Sequence, residues 1–169
     1  MDEIVFEYRS GKYTYLPAWS VLCPLAEQYI SATANGLDIG CGRCCFPNAT
    51  GVDLYEPCAK IKSNGQVLDI PDNSYDFVIS SHSIEHMQCW QSALKEWVRV
   101  IRSEGVVLLL VPDPDYFPWS KAGAPTVHFH DIRPADIRAF VESQPNMELL
   151  ESGEPTPLNQ HHAVIRKRG

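Results

Sequence analysis

Short apolar runs bounded by turn-forming residues alternate along this chain with stripes of apolar residues at helical spacing. The runs are residues 37–39, 50–53, 66–70, 75–81 and 106–111. Their length, and the Gly, Pro, Asn and Asp that end them, predict strands; 75–81 and 106–111 are apolar enough to be buried on both faces of a parallel sheet. Leu22, Leu25, Ala26, Tyr29 and Ile30 form a helical stripe that starts behind Pro17 and stops at Asn35-Gly36. A clearer stripe lies within 90–102, where Leu94, Trp97, Val98 and Ile101 share one face and Lys95, Glu96, Arg99 and Arg102 lie largely elsewhere. Pro134 opens a third helix carrying Ile137, Phe140 and Val141, and 147–150 and 163–168 predict a closing strand pair. Ahead of them all, 4–15 is rich in Tyr and Phe and reads as an extended or irregular arm.

Strands interleaved with helices predict an α/β fold with a mostly parallel sheet. Two connections are short for such a sheet. Only the eight residues 43–50, Pro47 among them, separate Gly42 from Gly51, and 53–66 contains Pro57 and Asn64-Gly65 as breakers. A parallel crossover normally takes a dozen or more residues and a full helix, so the first crossover is expected to be a loop or a single turn.

Composition narrows the function. With 169 residues and 44% hydrophobic residues, one core and one domain over 1–169 are expected. The formal charge of −7, offset only by the short Arg166-Lys167-Arg168 run, argues against binding a nucleic-acid backbone and for a small or neutral partner. Met1-Asp2-Glu3 is acidic and no apolar run follows it, so no signal peptide is expected, and nothing later is long enough to span a bilayer. Cys23, Cys41, Cys44, Cys45, Cys58 and Cys89 then read as reduced thiols of a cytoplasmic enzyme. Cys41, Cys44 and Cys45 lie close together, but no second cysteine pair completes a tetrahedral set, and no metal is expected there.

The carboxyl ends of the runs carry a family resemblance. Leu37-Asp38-Ile39-Gly40-Cys41-Gly42, Gly51-Val52-Asp53, Asp69-Ile70-Pro71 and Asp72-Asn73-Ser74-Tyr75-Asp76-Phe77-Val78 resemble, in order, the motifs of class I S-adenosylmethionine-dependent methyltransferases. Ile84-Glu85-His86-Met87 and Arg99-Val100-Ile101-Arg102-Ser103-Glu104-Gly105 resemble the two blocks that follow, so the resemblance is strong over about 37–111. It implies a Rossmann-like class I methyltransferase fold of the compact type-11 kind, with about seven strands and an antiparallel last strand. The implied layout is an N-terminal arm and helix (1–35), a cofactor-binding core (36–111), an acceptor-side loop (112–133) and a closing helix and strand pair (134–169). The implied reaction is methyl transfer from S-adenosylmethionine to a small-molecule or glycan-type acceptor by in-line displacement.

The resemblance also implies roles for residues. Gly40, Cys41 and Gly42 lie against the cofactor. Asp53, with Leu54 beside it, takes both ribose hydroxyls; Asp69 accepts from the adenine amino group, with Ile70 against the ring. Asp38 holds the glycine loop or, through water, the cofactor ammonium, and Ser81 opens onto the crevice. In-line displacement needs alignment and exclusion of water, and a hydroxyl acceptor also benefits from a base of near-neutral pKa. His82, His128 and His130 are the candidates. Tyr8, Tyr13 and Tyr15 are either packing residues or a lid over the cofactor. His82-Ser83-Ile84-Glu85-His86 has the spacing of a zinc hydrolase. That reading needs a helix through all five residues and a further ligand downstream, and the run leaves directly from a strand, so His86 is expected to be structural. A nicotinamide oxidoreductase is disfavoured by the lack of a third glycine, and a catalytically inactive binding module is the main alternative.

Overall fold

The computed structural model describes residues 5–8, 11–14, 19–115, 128–153 and 160–169, with side chains from Val21 onward. The aromatic arm is a hairpin of β1 (Val5–Tyr8) and β2 (Gly11–Thr14), paired antiparallel from Val5↔Thr14 to Tyr8↔Gly11. Helix α1 (Trp19–Tyr29) follows. The main sheet is built from β3 (Gly36–Ile39), β4 (Ala49–Val52), β5 (Tyr75–Ser81), β6 (Ile101–Pro112), β7 (Met147–Ser152) and β8 (Gln160–Lys167), with α2 (Trp90–Val100) and α3 (Pro134–Glu142) between them. Its order is β4-β3-β5-β6-β8-β7. The first four strands of that order run parallel, and β8 is antiparallel to both β6 and β7.

Strand β6 shows why a continuous apolar run is needed here. Successive side chains point to opposite faces of a strand. Val107, Leu109 and Val111 join one core with Leu94, Trp97 and Val98 of α2 and Ile137 and Val141 of α3. Val106, Leu108 and Leu110 join the other with Leu22, Cys23, Leu25 and Ala26 of α1. Both faces are covered by helices, so polar alternation has no place in this strand.

Two expectations need correction. Residues 66–70 form no strand, which leaves six strands in the sheet among the described residues rather than about seven. Side chains of α2 take the place of a neighbouring strand: the Leu68 N–H donates to Glu96 Oε1 (2.8 Å), and Arg99 donates to the Leu68 carbonyl (3.1 Å) and the Ile70 carbonyl (2.8 Å). Helix α2 also ends at Val100, before the expected Arg102, because Ile101 already pairs with Tyr75 as the first residue of β6. A register shift follows before Phe77↔Val106. It spans Glu104 at φ +63° and Gly105, where a Cβ would come within 2.7 Å of the Asp76 carbonyl oxygen.

Candidate functional site

Parallel strands deliver their carboxyl ends to one edge, and ligands of such sheets sit outside that edge. Here the chain leaves β3 into Gly40-Cys41-Gly42, β4 into Asp53 and β5 into His82. The glycine loop is fastened to β4: the Gly40 and Cys41 N–H groups both donate to the Val52 carbonyl (2.8 and 3.3 Å), and the Gly42 N–H donates to Asp53 Oδ2 (3.2 Å). Gly40 has φ +73°, and a Cβ there would meet Ser83 Oγ at 2.3 Å. Gly42 has φ +56° with nothing within 4 Å of a Cβ position, so its backbone faces open space. Left-handed backbone at both positions is what glycine accommodates without strain.

Two cavities meet at Gly40. The larger, of about 730 Å³, has Asp53, Leu54, Tyr55, Asn64, Gln66, His82, His86 and His128 among its walls. The smaller, of about 370 Å³, is bounded by Asp38, Gly40, Cys41, Gly42, Cys44, Phe46 and Ser81. Together they give a nucleoside-sized ligand room on both sides of the loop. A further depression of about 360 Å³ beside Asp76 and Arg102 lies at the opposite end of the strands, away from these groups.

The carboxylates differ. Asp53 is partly exposed: burial pushes its pKa up, but the N–H groups of Tyr55 (2.9 Å), Glu56 (3.1 Å) and Gly42 (3.2 Å) outweigh that and hold it below the ordinary value. Three of roughly four lone-pair positions of the carboxylate are therefore engaged, so it can accept from one ribose hydroxyl with the loop as it stands rather than from both. Asp38 is 7% exposed, accepts from the Phe46 N–H at 2.7 Å and is pushed up to about 7 by burial. It thus holds the loop after β3 from beneath. Cys41 and Cys45 are pushed up to about 12, first by burial and then by the charge of Asp38, so both stay thiols.

Asp69 and Ile70 do not join this site. Asp69 is exposed, Ile70 packs against the core on the α2 side, and neither borders the two cavities, because 66–70 is held by α2 instead of continuing a strand toward the edge. Asn64 and Gln66 stand on the cleft wall in their place. Nothing in the sequence beyond the Asn64-Gly65 turn signal marks them; they arrive because a long loop replaces the second crossover.

The three catalytic candidates separate. His82 sits at φ +51°, its N–H donates to the Leu110 carbonyl (2.9 Å), and its Nε2 is 2.7 Å from Gln160 Oε1. An amide carbonyl oxygen accepts, so Nε2 is the donor in this pair and Nδ1 is the other ring nitrogen. His128 lies on the cleft wall, its pKa lowered by burial and then by His86 and His82. His130 turns aside, with Nε2 3.0 Å from the Gln88 carbonyl oxygen, and does not border the cleft. Residues 84–86 form a single 3-10 turn rather than a helix through 82–86, so His82 and His86 do not share a helical face. Glu85, His86 and His128 nonetheless converge, with ligand atoms within 4.8 Å of one another. Side chains of Tyr8, Tyr13 and Tyr15, and residues 116–127 of the acceptor-side loop, lie outside the described residues.

Residues 37–109 match the family described as "Methyltransferase domain". No curated protein matches the chain in sequence. Among solved structures, the fold is similar to a chain from the complex between the Haloferax volcanii Trm112 methyltransferase activator and a candidate methyltransferase, with a TM-score of 0.71 at 12% identity over 89% of this chain and 90% of that one. It is similar to the PH0226 protein of Pyrococcus horikoshii, with a TM-score of 0.68 at 16% identity over 89% and 90%. An S-adenosylmethionine-dependent methyltransferase from Methanosarcina mazei gives 0.63 at 14% identity over 86% and 97%. At these identities the likeness establishes the fold.

Proposed function

We propose that this chain is a class I S-adenosylmethionine-dependent methyltransferase, a reading that the match of residues 37–109 to a methyltransferase domain and the methyltransferase-like fold support, and that it methylates a small-molecule or glycan-type acceptor held in the larger cleft. The observation that carries this reading is that the two cavities share Gly40 as a wall, with Asp38 bordering one and Asp53 and His82 the other. When bound, S-adenosylmethionine supplies a methyl carbon activated by positive sulfur. The residues present fit it: Gly42 leaves its backbone open to close approach, Asp53 keeps an acceptor position for a ribose hydroxyl, and Asp38, on the wall of the smaller cavity, would reach the cationic amino-acid end through water. Leu54 and Tyr55, 47% and 85% exposed, offer apolar surface on the Asp53 side.

For a hydroxyl acceptor, His82 is the base. Gln160 holds its Nε2–H, leaving Nδ1 to take the proton as the acceptor oxygen attacks. The setting we propose is the cytoplasm, where the six cysteines, none of them in a disulfide, would stay reduced. Calorimetric titration with S-adenosylhomocysteine tests the cofactor site, with a nicotinamide dinucleotide as control. Saturable micromolar binding that Asp53→Ala removes is the expected result. Absence of binding by the folded protein would leave the motifs as scaffold and favour an interaction module.

A further inference from the structure

We propose that Glu85, His86 and His128 form a binding site for a divalent first-row transition-metal ion on the wall of the larger cleft. Two histidines and one carboxylate are a donor set suited to zinc, iron, cobalt or manganese in the divalent state. Glu85 and His86 are neighbours on the 3-10 turn that follows β5, and His128 arrives from a distant part of the chain. The backbone fixes that approach, because the Phe129 N–H donates to the Glu85 carbonyl at 2.9 Å.

The distances suit a shared ion. Glu85 Oε1 stands 3.8 Å from His86 Nε2, and the His86 and His128 rings meet edge to face with centroids 4.3 Å apart. Donors sharing one ion at about 2.1 Å stand about 3.4 Å apart, within reach of small side-chain rotations.

An independent observation points to a cation. Glu85 is 1% exposed, and both its carboxylate oxygens are buried without a hydrogen-bond partner on any other described residue. A buried carboxylate is ordinarily paired, protonated or bound to metal, and the ligand atoms of two imidazoles stand within 4.8 Å of this one. Three protein donors leave a coordination position open, and both imidazoles border the cleft. Resting on the methyl-transfer reading, an acceptor oxygen at that position would be made more acidic by the ion beside His82.

The test uses the full chain, stripped with chelator and free of cofactor, titrated with Co²⁺ and followed by visible absorption. One equivalent is expected to bind with d–d bands, without the near-ultraviolet thiolate charge transfer that binding to the cysteines would produce, and to be displaced by Zn²⁺. Glu85→Gln and His128→Ala should each weaken binding at least about tenfold. His128 is partly exposed, so His128→Ala keeps the test valid if Glu85→Gln fails to fold. Absence of binding, binding through thiolates, or equal affinity in a folded His128→Ala variant overturns the metal site. Intact S-adenosylhomocysteine binding alongside such a result would sink the ion and leave the methyl-transfer reading standing.

Discussion

Asp38 ties the stability of the glycine loop to pH, and Asp38→Asn isolates that dependence. Burial raises the folded-state pKa from 3.8 to about 7, against the pull of the Phe46 N–H. Between roughly pH 4 and 7 the folded chain therefore keeps a proton that the unfolded chain has released, so stability falls as pH rises through this window. With these two values, the single group lowers the unfolding free energy by roughly 2–3 kcal/mol between pH 5 and pH 8. Asparagine still offers an oxygen to the Phe46 N–H but has no charge to bury. Urea denaturation of both proteins at pH 5 and pH 8, read by tryptophan fluorescence, gives the comparison. Asp38→Asn should gain on the wild type by roughly 2–3 kcal/mol on going to the higher pH, with every other titrating group common to both chains. An equal difference at the two pH values would refute a buried, proton-holding Asp38.

Three further outcomes follow from the packing around the site. Trp97 is fully buried and its Nε1–H donates to the Gly65 carbonyl at 2.8 Å, so Trp97→Phe should cost about 1–2 kcal/mol in urea unfolding by leaving that oxygen unpaired. Arg99→Met should strip the Leu68 and Ile70 carbonyls of their donor, destabilise the fold by on the order of 1–2 kcal/mol, and speed amide hydrogen exchange around 66–72; unchanged exchange there would show that the segment is held otherwise. Cys89 is exposed and its thiol is pulled down by hydrogen bonds from Ser92, while Cys41 and Cys45 are pushed up to about 12 by burial. Iodoacetamide at pH 8 with peptide mapping should label Cys89 well before Cys41 or Cys45.

What the sequence disclosed were features that one strand and its next few residues determine. Gly40, Gly42 and Asp53 lie directly beyond apolar runs, and the parallel sheet carried them to one edge without further information. Residues 66–70 look much the same locally. What distinguishes them is Glu96 and Arg99 reaching across from α2 to occupy the backbone groups that a neighbouring strand would need, and no local pattern encodes that reach. Asp69 was misplaced for the same reason. The metal-ligating group was half visible: His82-Ser83-Ile84-Glu85-His86 carried the right residue types, but the left-handed backbone at His82 and the single 3-10 turn changed which members meet. The remaining donor, His128, is set by a contact between distant parts of the chain.

The placement of β8 between β6 and β7 bears on how the protein is made. Neither β6 nor β7 has another partner on the side that β8 fills. On a ribosome, the chain will have released all of β7 while β6 still presents an unpaired edge composed of Val106 to Val111, with four of the six strands of the described sheet able to pair. Cotranslational folding must wait for 160–167 to emerge, and until then the nascent chain displays the kind of apolar edge that chaperones shield.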